Sequence, residues 1–119
     1  TSGIHIQNIL IEKKSKNTYR YQLALNQFSK TKKSLFRGKL LLQINGLQHG
    51  KPIELSMTDI SPTKEKHKKV RFRNFQIVTG QWVLPSEFQP DTINVTVKSN
   101  QSNKKILEKS LKWEILHLP

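Results

Sequence analysis

Apolar and polar residues alternate with a period of two along most of the chain, the period of a strand with one buried face. Ile4, Ile6, Ile9, Leu10 and Ile11 give a first strand whose phase slips near Asn8. Tyr19, Tyr21, Leu23 and Leu25 alternate with Arg20, Gln22, Ala24 and Asn26. Phe36, Gly38, Leu40, Leu42 and Ile44 alternate with Arg37, Lys39 and Gln43. Ile53, Leu55 and Met57 make a further strand, and Val70 and Phe72 another. Phe75 and Ile77 then fall on odd positions, which predicts a bulge near Asn74. Trp82 and Leu84, then Ile93, Val95 and Val97, then Leu107, Leu111, Trp113 and Ile115 complete the series.

Turn residues punctuate these runs. Asn45-Gly46 with His49-Gly50, and Thr79-Gly80, read as tight connections. Pro85 and Pro90 bracket a stretch that does not read as regular strand. Ser61-Pro62 opens a Lys-rich loop, with room for a short helix within residues 59–69. The pattern predicts an all-β, antiparallel, immunoglobulin-like β-sandwich of seven or eight strands, with residues 1–119 forming a single domain. Tyr21, Leu23, Leu25, Leu40, Leu42, Phe72, Trp82, Val95 and Trp113 are its expected core, and Phe88 is expected to plug one end. If every strand crosses the body once, Lys30, Lys32, Lys33, Lys64, Lys66, Lys68 and Lys69 share one pole. Lys13, Lys14, Lys16, Lys104 and Lys105 then share the other.

Composition narrows the chemistry. There is no cysteine, so a disulfide framework and a thiolate metal site are excluded. No run approaches the ~18 apolar residues that span a bilayer. The chain opens Thr1-Ser2-Gly3, which reads as the cut edge of a longer protein whose remaining part could hold a membrane anchor. The net charge is +13, and lysine dominates it, since Arg20, Arg37, Arg71 and Arg73 are the only arginines. Such a field draws polyanions, although lysine is a less specific phosphate reader than arginine.

Nothing resembles catalytic machinery. Asp59 and Asp91 are the only aspartates, and the glutamates are scattered. His5, His49, His67 and His117 lie far apart, with no ligand spacing. No nucleophile elbow or glycine-rich phosphate loop occurs. The expectation is a protein that is not an enzyme and holds no cofactor or metal. The sharpest local feature is Lys68-Lys69-Val70-Arg71-Phe72-Arg73-Asn74-Phe75-Gln76, where cations and aromatics interleave as they do on nucleic-acid-binding surfaces. Strand alternation explains the same string with the aromatics inward. The candidate contacts for a polyanion or partner are Lys30, Lys32, Lys33, Lys64, Lys66, Lys68, Lys69, Arg71 and Arg73.

Phe36-Arg37-Gly38-Lys39-Leu40, Ile44-Asn45-Gly46, Val70 to Gln76, Thr79-Gly80-Gln81-Trp82-Val83-Leu84-Pro85, Phe88, Pro90 and Ile93-Asn94-Val95-Thr96-Val97 follow in a characteristic order. From about Tyr19 to Trp113 the chain resembles the C-terminal β-domain of uncharacterised proteobacterial inner-membrane proteins. The resemblance implies an N-terminal transmembrane helix, then a coiled coil, then this domain. It implies a periplasmic location on the inner membrane, homo-oligomers made through the coiled coil, and a link to cell-envelope or cytoskeletal organisation. It carries no catalytic or binding residue.

Three functional expectations follow. The first is a non-catalytic protein-interaction or scaffolding domain of a cell-envelope protein. The second is a basic nucleic-acid-binding module using the Lys-rich loops. The third is binding of anionic lipid or an acidic wall polymer.

Overall fold

A computed structural model describes residues 3–28 and 34–117. The elements are β1 (Ile4–Lys13), β2 (Thr18–Gln27), β3 (Phe36–Gln48), β4 (Lys51–Leu55), α1 (Met57–Ile60), β5 (Lys68–Phe72), β6 (Phe75–Val83), β7 (Phe88–Ser99) and β8 (Lys105–Lys112). One sheet runs β1-β2-β6. The other runs β4-β3-β7-β8, with β5 also on β3, and every pairing is antiparallel. The two sheets share one apolar core, so the domain is an eight-stranded antiparallel β-sandwich. Its connectivity fits the immunoglobulin-like expectation.

Alternation places the core. Ile4, Ile6 and Ile11 of β1, Tyr21, Leu23 and Leu25 of β2, and Val78 and Trp82 of β6 point inward. They meet Leu40, Leu42 and Ile44 of β3 and Ile93, Val95 and Val97 of β7. Burying each such side chain is worth roughly 1.5–3 kcal/mol. Tyr21 stacks on Trp82 at 4.4 Å between ring centres, and Trp82 on Trp113 at 5.8 Å. The Tyr21 ring runs so close to Gly80 that a Cβ there would lie 2.5 Å from its hydroxyl oxygen. Phe88 is buried, as expected of a plug, whereas Trp113 is only partly covered. The sandwich is stitched along its β1 side. The Lys109 ammonium donates to the Ile6 carbonyl at 3.0 Å, and the Leu116 N–H to the Ile11 carbonyl at 2.7 Å.

Several expectations change. The slip in β1 is there, between Ile6 and Ile9. No phase shift follows Asn74, however. The chain turns at Arg73-Asn74 and enters the other sheet, with Val78 and Trp82 inward and Phe75 and Ile77 outward. Thr79-Gly80 lies inside β6, where the glycine gives room to Tyr21. Asn45-Gly46 lies inside β3, at a register shift against β7 that also admits Pro90 to a strand. The turn is His49-Gly50, whose φ values of 52° and 77° suit a tight hairpin.

The polar arrangement of the lysines is corrected too. β4 and β5 do not each cross the body. Both lie on the same edge of β3, β4 against Ile44–Gln48 and β5 against Phe36–Leu40. Ser56 breaks the strand between them by capping α1. Its hydroxyl accepts from the Asp59 N–H at 3.2 Å, while the Asp59 carboxylate accepts from the Ser56 N–H at 2.9 Å. The 56–67 segment therefore lies along one side of the sandwich. The parity of every later loop is reversed, which brings the β7–β8 turn to the β2–β3 end. The hydrogen bond from the Asn100 N–H to the Arg37 carbonyl records this.

Candidate functional site

The outward positions of the five-stranded sheet carry the charge. In β3 these are Arg37, Lys39, Leu41 and Gln43, and in β5 they are Lys69 and Arg71. Register aligns them. Lys69 pairs with Lys39, Lys39 with Lys98, and Lys98 with Lys105, so one lysine from each of β5, β3, β7 and β8 stands in a single row. Arg71 pairs with Arg37 in the neighbouring row. At a strand spacing of about 4.8 Å the lysine row is roughly 15 Å wide, and the arginine pair lies about 7 Å further along.

Like charges placed directly opposite destabilise a sheet. Here the acids do little to offset them. Glu108 pairs with Lys105 at 2.9 Å. Glu54, on the same face of β4, accepts instead from the Gln43 amide at 3.0 Å. No salt bridge reaches Arg37, Lys39, Lys69, Arg71 or Lys98 among the described residues. Beside the row the face dips into a hollow of about 470 Å³ over Leu41 and Met57, rimmed by Lys66, Lys98 and Lys105.

The sequence candidates divide. Lys69 and Arg71 are on this face, and Lys66 is at its rim. Lys64 is exposed in the loop after α1. Lys68 turns away and pairs with Glu65 at 3.0 Å, and Arg73 lies in the turn that leaves β5. Lys30, Lys32 and Lys33 lie outside the described residues. The 68–76 string does not place cations and aromatics on one surface. Phe72 is buried, and Phe75 lies on the outer face of the opposite sheet. Arg37, Lys39 and Lys98 escaped sequence reasoning because nothing in one dimension shows that they are neighbours. Their sign was their polar position in an alternating strand. Lys105, assigned to the opposite pole, instead completes the row.

The titratable groups with shifted pKa lie elsewhere. The Ser56 N–H, and after it the Ser56 hydroxyl, hold the Asp59 carboxyl below its ordinary range. The hydrogen bond from Lys14 does the same for Glu12. Burial, helped by the charge of Glu65, raises the Tyr21 hydroxyl. Among the described residues no group of three or more His, Asp or Glu side chains is arranged to hold a metal ion. No helix among them is long and apolar enough to cross a membrane.

No curated protein and no solved structure matches the chain. A family model described as "Family of unknown function" matches residues 1–95. That span holds β1 to β6, most of β7, and Arg37, Lys39, Lys69 and Arg71 of the cationic face, while Lys98 and Lys105 lie beyond it. On this match over most of its length, the chain belongs to the family of unknown function DUF6776.

Proposed function

We propose that this is a non-catalytic binding domain that lays the outer face of its five-stranded sheet on an anionic phospholipid surface. The observation that carries the reading is the register-aligned row Lys69-Lys39-Lys98-Lys105 with Arg37 and Arg71 beside it. An arrangement that opposes folding is expected where it serves a ligand. The chemistry of the face selects among polyanions. It is a sheet surface dominated by lysine point charges, suited to many phosphates in a plane. No aromatic side chain stands on it among the described residues, so it lacks the stacking platform of single-strand binders. Among the described residues no helix or two-stranded ribbon projects from it to enter a DNA groove.

Polybasic contacts contribute about 1 kcal/mol per lysine or arginine at an anionic membrane. Arg37, Lys39, Lys69, Arg71 and Lys98 together then supply roughly 5 kcal/mol, a dissociation constant on the order of 10⁻⁴ M. That is too weak to recruit a free domain but enough to orient a tethered one. The reading therefore fits a domain held near the inner membrane, on its periplasmic side, by an upstream transmembrane helix and coiled coil, the context that the sequence resemblance implies.

The test is co-sedimentation with phosphatidylcholine vesicles, with and without about a third phosphatidylglycerol, at about 5 mM lipid, well above the ~10⁻⁴ M dissociation constant so that even an untethered domain is captured, and at roughly 20 and 200 mM salt, where screening differs strongly. Binding should require the anionic lipid and weaken at high salt. Lys39→Glu with Lys98→Glu should abolish it, while Lys13→Glu with Lys16→Glu, at the β1–β2 end, should weaken it far less. Equal losses from the two double variants would show a generic charge effect and end the proposal. Tighter binding to single-stranded RNA or to an acidic wall polymer than to the vesicles would replace it with one of the other two readings.

A further inference from the structure

We infer that β6 is a self-association edge, through which two copies of this chain pair antiparallel about Thr79 into one continuous six-stranded sheet. A sandwich exposes sheet edges, and natural proteins guard them with charge, proline, bulges or cover. Three edges here are guarded. β8 carries Lys105, Glu108, Lys109 and Lys112 and a register shift. The β4/β5 edge carries Lys51, Pro52, Glu54, Lys68, Lys69 and Arg71 and is interrupted by α1. β1 is bulged, and Lys109 and Leu116 bond to its carbonyls.

β6 has none of these defences. It reads Phe-Gln-Ile-Val-Thr-Gly-Gln-Trp-Val, the one strand of the described eight with no charged residue, in a chain of net charge +13. It contains no proline, and its register with β2 runs without a break from Phe75 to Val83. Among the described residues no hydrogen bond to its backbone comes from the side away from β2. Its outward side chains Phe75, Ile77 and Val83 are 61%, 49% and 43% exposed.

The pattern of those side chains selects a second copy as the occupant. In an antiparallel pair centred on Thr79, each Phe75 faces the Val83 of the other copy and each Ile77 faces its Gln81. The exposed apolar ends meet each other, as an isologous interface requires. Although each copy carries +13 overall, no charged side chain stands on β6 itself. The outer face of this sheet carries Glu12 and Arg20 directly opposite each other, and the lysine row lies on the other sheet. The two-fold axis of such a pair stands perpendicular to the sheet, so both cationic faces point the same way. If the lipid reading holds, the dimer presents two binding faces in one plane, which multiplies weak contacts into avidity.

The experiment is sedimentation equilibrium of the chain in lipid-free buffer, from about 5 to 500 µM, a range that brackets a weak dimer. A reversible monomer–dimer equilibrium is expected. Ile77→Lys should weaken it at least tenfold, with circular dichroism and melting unchanged. Because the chain has no cysteine, Thr79→Cys supplies a second test. Air oxidation should cross-link Thr79→Cys into a dimer well before Thr96→Cys on the opposite sheet. A monomer throughout the range, or equal cross-linking rates at the two positions, overturns the inference. Neither result bears on vesicle binding by the monomer, so failure here is distinct from failure of the lipid reading.

Discussion

Lys39 stands in register between Lys69 and Lys98, so neutralising it should make the domain more stable, and by an amount that salt removes. Lys39→Gln keeps the length of the side chain and deletes only its charge. With ammonium groups about 7 Å apart at the aqueous surface, each repulsion is roughly 0.6 kcal/mol before screening. The Debye length is about 30 Å at 10 mM salt and 3 Å at 1 M, so the two repulsions together fall from about 0.9 to about 0.1 kcal/mol. Urea denaturation of the parent and of Lys39→Gln across that salt range should show this difference in midpoint at constant slope. The melting temperature should rise by a few degrees at low salt, at roughly 4 °C per kcal/mol for this length. Lys13→Gln, in β1 beside the β1–β2 turn, should shift little. The same Lys39→Gln variant should bind anionic vesicles more weakly, so stability and binding move in opposite directions. A loss of stability at 10 mM, or a gain that persists at 1 M, would refute the claim that the aligned row is held against its own repulsion.

Other consequences are separable. Tyr21→Phe removes a buried hydroxyl that has no hydrogen-bond partner among the described residues while keeping the stack on Trp82, and it should stabilise the domain by about 1 kcal/mol in urea titration. Gly80→Ala forces a methyl against the Tyr21 ring, and the expected cost of about 1–3 kcal/mol should shrink when combined with Tyr21→Ala, as a double-mutant cycle would report. Leu42→Asn or Val95→Asn puts an amide at a fully buried position and should unfold the domain, seen as collapse of amide NMR dispersion. Asp59 has a folded pKa below its unfolded value, so its contribution is present above the ordinary carboxylate range and is lost as pH falls through the folded pKa. The protection factors of the Ser56 and Asp59 amides, corrected for intrinsic exchange, should therefore fall selectively as pH drops below the ordinary carboxylate range, and Asp59→Asn should abolish that pH dependence.

The class of fold was legible in the chain alone. Strict alternation at Tyr21-Leu23-Leu25, Leu40-Leu42-Ile44 and Ile93-Val95-Val97 allows only strands with one buried face, and those residues are the core. It also located the slip in β1, because Ile9 and Ile11 break phase with Ile4 and Ile6. Alternation cannot say which strands are neighbours, since any two apolar faces satisfy each other equally well. The row Lys69-Lys39-Lys98-Lys105 exists only because β4 and β5 share one edge of β3 while β7 takes the other. That topology rests on the capping of α1 by Ser56 and Asp59, a local feature with no trace in the hydrophobic pattern. The fate of the 68–76 string was decided the same way. The turn at Arg73-Asn74 sends Phe75 to the other sheet and parts it from Arg71. Periodicity fixes which side of a strand is buried. Only tertiary pairing fixes which charges stand side by side, because that depends on contacts between residues far apart in the chain.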